Sequence, residues 1–154
     1  MTSNYTQTAQ RSAPLWRRFA ALFYDLLVLA ALSMVYAALT IVIYVNITGE
    51  RGEAYTPMFE GSLFQLGWLA LIIGFYVFFW HRGGQTLGMR AWRLHLESDH
   101  GQSPNFKQCV LRCLTGPLAF GLAGFGYWWA WFDQDGLCWH DRMSRTRVVV
   151  LNKT

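Results

Sequence analysis

The stretch that decides the fold is "LLVLAALSMVYAALTIVIYV", Leu26–Val45, twenty residues without a charge. At about 1.5 Å of rise per residue, a helix of that length crosses the roughly 30 Å hydrocarbon core of a bilayer. "SLFQLGWLALIIGFYVFFW", Ser62–Trp80, is a second uncharged run of comparable length. The sequence therefore predicts two transmembrane helices, about 19–45 and 62–81. The first run is longer than the apolar region of a secretory leader and no small-residue cleavage site follows it, so it is expected to stay in the membrane. A third apolar region, 109–132, contains Arg112 and is interrupted at Gly116-Pro117.

Composition agrees. The 154 residues are 53% hydrophobic and only 14% charged, against about 25% charged in soluble domains. The formal charge is +4, and the basic residues flank the apolar runs. That distribution is membrane anchoring and excludes a nucleic-acid-binding chain. The tail 1–14 is polar and predicted to be mobile, and 15–154 form a single membrane domain. Glu50, Glu53 and Glu60 lie between the two runs. Arg11, Arg17 and Arg18 precede the first, and Arg82, Arg90, Arg93 and Lys107 follow the second. Because Lys and Arg are retained inside, the N-terminus is expected in the cytoplasm and the Glu-bearing loop outside.

The route through 109–132 has two readings. A single crossing leaves Arg142, Arg145, Arg147 and Lys153 outside, against the charge rule. A re-entrant hairpin of half-helices, about 106–115 and 118–131, keeps them inside but needs protein cover at depth. "WRLHLE", Trp92–Glu97, alternates at the strand period, and "TRVVVL", Thr146–Leu151, is β-branched. Two lone strands are best explained by pairing with each other, which favours the hairpin. The fold class is thus an all-α membrane protein with two firm spans, a third apolar region and a minor cytoplasmic β element.

Asp25 heads the first apolar run, with Arg18 seven residues before it. A carboxylate there is costly unless partnered. Helical side chains lean toward the N-terminus, so Arg18 is expected to point away from Asp25 toward headgroups, as an interfacial anchor with Arg17. Asp25 should then take a base from another segment, Arg112 or Arg142. His140 beside Asp141 is a candidate proton-handling pair, although sequence neighbours are expected to face different partners. His81, His95 and His100 are expected to be solvated.

Cys109, Cys113 and Cys138 lack the ligand spacing of a zinc site and are expected to pack as apolar groups; no metal or cofactor is predicted. "GGQTLGM", Gly83–Met89, lacks the lysine of a phosphate loop and reads as a turn followed by a short amphipathic segment carrying Arg90 and Arg93. No nucleophile motif is present in the sequence, so no enzyme is predicted. The tryptophans, including Trp128 to Trp131, read as interfacial belts rather than an aromatic cage.

The pieces "RRFAALFYD", "GGQTLGMRAWRLHLESDHGQSPNFKQCVLRCL" and "HDRMSRTRVVV" together resemble the RDD family of small bacterial integral membrane proteins. The family's arginine before the first helix and aspartate within it correspond to Arg18 and Asp25, and its second aspartate to Asp141. The resemblance implies a bacterial inner-membrane protein with a role in transport of a small ion or solute. One branch has been proposed to exchange sodium for protons, which likeness of fold does not carry to this chain. The expected charged site is Arg18, Asp25 and Asp141, supported by Arg112, His140 and Arg142, with a small cation or proton as cargo. The alternative is a non-transporting accessory or scaffolding subunit in which the same charges lock helix packing. In either case the expected partners are the lipid bilayer and a second copy or another membrane protein.

Overall fold

The computed structural model describes residues 12–49, 60–99, 101–121, 129, 133 and 136–151. Helix α1 runs Leu15–Thr48 and ends at Gly49, whose φ of 72° lets its N–H reach the Val45 carbonyl at 2.9 Å. Helix α2 runs Ser62–Gly83 and closes the same way at Gly84, φ 63°. Both are long and apolar enough to cross a membrane, and both extend beyond the predicted spans.

The polar side chains of the α1 run are satisfied locally, as an apolar solvent demands. Thr40 donates to the Tyr36 carbonyl at 2.7 Å, Asn46 to Val42 at 2.7 Å and Thr48 to Tyr44 at 2.9 Å. Most of the apolar ones beyond Leu29 are turned outward, Met34 74% and Ile47 78% exposed, and so is Leu63 of α2, 87%. Continuous exposed apolar surface of this kind marks a lipid-facing or protein-facing region. The two helices touch where Tyr36 donates to the Phe64 carbonyl at 3.0 Å and Trp68 to Ser33 Oγ at 2.9 Å. Gly67 permits this approach, since a Cβ there would overlap the Tyr36 hydroxyl.

After Gly84, Thr86 caps the short helix α3, Leu87–Ala91, by accepting the Met89 N–H at 3.2 Å. Strand β1 is Leu94–Ser98, helix α4 Phe106–Gly121, helix α5 Trp139–Ser144 and strand β2 Thr146–Val150. The strands pair with each other, as the sequence predicted, and they do so antiparallel, Leu94 opposite Val150 and Ser98 opposite Thr146. Their outer edges are covered. The Leu96 N–H reaches the Gly84 carbonyl, and the Ala13 N–H reaches Val148, both at 2.7 Å. Ala13, Ala21, Met89, Leu94, Leu96 and Val148 form the core, with Trp80, Trp92 and Val150 against it. The core therefore gathers at one end of the long helices.

Three expectations change. The break at Gly116-Pro117 is not there: α4 continues to Gly121 with Pro117 inside it. Proline removes one backbone donor and crowds the carbonyl four residues back, yet the turns on both sides of Pro117 stay helical here. Residues 118–121 of the expected second half-helix belong to α4; its remainder, Trp128–Trp131 included, lies outside the described residues apart from Trp129, as do His100 and most of the Glu-bearing loop. Of the polar tail, residues 1–11 lie outside, while Ser12–Pro14 are held, with Ala13 in the core. His95 is half-buried rather than solvated, its ring resting against Gly84.

Candidate functional site

The first polar centre is built around Asp141. It sits in the first turn of α5 and caps it, accepting the Cys138 N–H at 3.0 Å. Its Oδ2 also takes Arg18 Nη1 from the start of α1, and its Oδ1 takes Arg112 Nη1 from α4, each at 2.6 Å. Arg18 further donates through Nε to the Ala13 carbonyl at 3.0 Å, through Nη1 to Cys138 Sγ at 3.2 Å, and to Ser12 Oγ. Arg112 also donates to Thr146 Oγ1 at 2.8 Å and stacks on the Trp80 ring, 5.6 Å from its centroid. One fully buried carboxylate thus ties α1, α4, α5 and β2 together.

The energetics follow from burial. Desolvation pushes the Asp141 carboxyl up, but the Arg112 and Arg18 guanidiniums outweigh it and hold the group well below the usual carboxylate range. His140 Nε2 lies 3.6 Å from Asp141 Oδ1. Burial, with Arg112 beside it, lowers the imidazole to about 3 against the pull of Asp141. Burial raises the Cys138 thiol to about 11. Near neutral pH the centre therefore holds an ionised Asp141, a neutral imidazole and a thiol. Removing one member of a buried charge cluster typically costs about 3–5 kcal/mol, because it strands the others.

The second centre is Asp25, 3% exposed. Its Oδ2 accepts the Thr86 hydroxyl at 2.6 Å and its Oδ1 the Gly88 N–H at 2.8 Å. Gly88 lies so close that a Cβ would overlap the Ala21 carbonyl oxygen and come within 3.0 Å of Asp25 Cγ. Asp25 is therefore an acceptor clamp that fastens α3 onto α1.

This corrects the predicted pairing. Asp25 forms no ion pair among the described residues; Arg112 is committed to Asp141, and Arg142 to Asp133 through Nε at 3.0 Å and through Nη2. Arg18 does turn away from Asp25, yet it is buried with Asp141 instead of lying among headgroups. His140 and Asp141 do approach each other, because the first turn of a short helix brings both side chains to the same buried cluster. Arg18, Asp141, Arg112 and His140 are thus brought together, and Asp25 and Arg142 are placed elsewhere. Thr86 and Gly88 were missed. The signal for Thr86 was its place as an N-cap three residues before Met89.

Cys138, His140 and Asp141 present ligand atoms within 4.8 Å of one another, all buried. By distance they could hold a metal ion. However, both Asp141 oxygens already serve guanidiniums, and an added cation would meet two arginines against one carboxylate.

Two membrane-length apolar helices, joined at one end by buried polar clasps and a two-stranded sheet, define a small helical protein of membrane type. The RDD family matches residues 12–145, and the chain belongs to that family. No curated protein and no solved structure matches it.

Proposed function

We propose that the protein is an integral plasma-membrane protein of a bacterium that acts as an accessory or scaffolding subunit, its charges serving assembly rather than catalysis or conduction. The observation carrying this reading is the engagement of both Asp141 oxygens by Arg18, Arg112 and the Cys138 N–H. A carboxylate so fully engaged locks helices. Each of its oxygens serves a guanidinium, so a passing cation would meet two arginines there. The apolar sides of α1 and α2 beyond the core are the surfaces for lipid and for a second copy or another membrane protein. Strand pairing supports a chain that leaves and re-enters one face between Ser98 and Thr146. The basic residues around α3 and α5 support placing that face, with the N-terminus, in the cytoplasm.

A second reading is favoured by one observation: Asp25 is a buried carboxylate in an apolar helix with no ion pair among the described residues. Such groups bind cations or protons in transporters. Two spans per chain would then require an oligomer to form the path. Vesicles with an imposed sodium or proton gradient, loaded with equal amounts of folded parent or Asp25→Asn protein, decide between the two. The scaffold reading expects the same background flux from both. Gradient-driven flux in the parent that disappears in Asp25→Asn would overturn it.

A further inference from the structure

Beside the two clasps, a third cluster contains donors without acceptors. Trp16, 57% exposed at the start of α1, meets the Trp92 ring edge-on at 5.4 Å between centroids. The Arg17 guanidinium lies over the same Trp16 ring at 5.2 Å. Arg17 Nε and Trp92 Nε1 are both shielded from water and have no hydrogen-bond partner among the described residues. Both groups can only donate, and a shielded donor without an acceptor is costly. Arg90 and Arg93, on either side of Trp92's turn, are exposed, as is Leu87 one helical turn before Arg90. Phe19 and Phe23, on the first turns of α1, are exposed too.

We propose that Arg17, Trp92, Arg90 and Arg93 form a binding site for the phosphate of an anionic phospholipid, with Trp16 at the headgroup level. A phosphodiester offers only acceptors, which is what the two shielded donors lack. The exposed arginines favour a headgroup with net negative charge over one whose phosphate is balanced by choline. The apolar rings on α1 and Leu87 supply a surface for the acyl chains, and indole rings settle at this depth of a bilayer. The site rests on α1 and α2 spanning the membrane, and is independent of whether the protein scaffolds or transports.

The test is native mass spectrometry of the full chain, released from detergent with equal phosphatidylglycerol and phosphatidylcholine. The parent should retain phosphatidylglycerol preferentially. Arg17→Gln should lower that retention about fivefold, the value of one basic group near anionic lipid. Trp92→Phe keeps an aromatic side chain but removes the N–H with the pyrrole part of the indole, and should also lower it. Arg142→Gln removes the same charge elsewhere and should leave it unchanged. The double variant Arg90→Gln/Arg93→Gln changes only exposed side chains and gives the same reading if Trp92→Phe disturbs folding. Equal retention of the two lipids by the parent, or a loss in Arg142→Gln matching that in Arg17→Gln, would overturn the site.

Discussion

Replacing Gly88 by alanine probes the Asp25 clamp through one methyl group. The added Cβ overlaps the Ala21 carbonyl oxygen and stands 3.0 Å from Asp25 Cγ. The obstructing oxygen belongs to the backbone of α1, so rotating a side chain gives no relief. Helix α3 must back away by about 1 Å to restore van der Waals contact. That movement stretches the Gly88 and Thr86 bonds to Asp25, now 2.8 and 2.6 Å. Hydrogen bonds to a charged acceptor contribute about 1.5–3 kcal/mol each, and overpacking costs about 1–3 kcal/mol. A net loss of about 2–4 kcal/mol is expected, since the bonds lengthen rather than vanish. Thermal unfolding in detergent should show it as a midpoint lowered by on the order of 5–10 °C. Gly74→Ala is the control: nothing lies within 4 Å of a Cβ at that position of α2, and alanine is the better helix former. If Gly88→Ala unfolds with Gly74→Ala and the parent, α3 is not fastened through this contact and the clamp is wrong.

Three further outcomes follow from the same geometry. A double-mutant cycle on Arg18→Ala and Asp141→Ala, read by unfolding in detergent, should show coupling of at least about 1.5 kcal/mol, whereas Arg18 and Asp25 should be additive; the reverse pattern would refute the Arg18–Asp141 clasp. Gly67→Ala should destabilise the α1–α2 contact by pressing on the Tyr36 hydroxyl, and adding Tyr36→Phe should recover part of the loss by removing that oxygen; failure of the rescue would refute the close approach. His140 takes up a proton in the unfolded chain near 6.5 but in the folded chain only near 3, so stability should decline as pH falls below 6.5, by about 2 kcal/mol at pH 5 from this group. His140→Gln should flatten that decline in a pH series of unfolding midpoints, leaving the smaller share of His95, whose imidazole burial also lowers.

What the sequence disclosed depended on how far each signal reaches along the chain. The long apolar runs and the strand pair were legible because hydropathy and alternation are local patterns. The turn away from Asp25 by Arg18 was legible for the same reason, since helical side-chain direction needs no tertiary knowledge. Where Arg18 went instead was not, because Asp141 lies 123 residues further on. Asp25 was misread by matching charge with charge. Its partners are a hydroxyl and a backbone N–H, and the second has no letter in a sequence. Only Gly88 hinted at it, as the one residue small enough to bring that N–H to the carboxylate. The helical course of Pro117 was hidden because proline shows where a bond is lost without showing whether neighbouring contacts hold the helix together.

The grip on α1 is uneven. Its buried residues, Arg18, Ala21, Asp25 and Leu29, all lie in the first half, and above them Ser33 and Tyr36 make polar contacts with α2. At 34 residues the helix is about 51 Å long, well beyond a hydrocarbon core of roughly 30 Å. A rod pinned at its foot and steadied at mid-height responds to a thinner bilayer by leaning, and to a thicker one by standing up. The far ends of α1 and α2 would then sweep sideways while the sheet and both clasps stay still. In that geometry a change of bilayer thickness is expected to appear as tilt of α1 and α2 relative to the sheet and the two clasps.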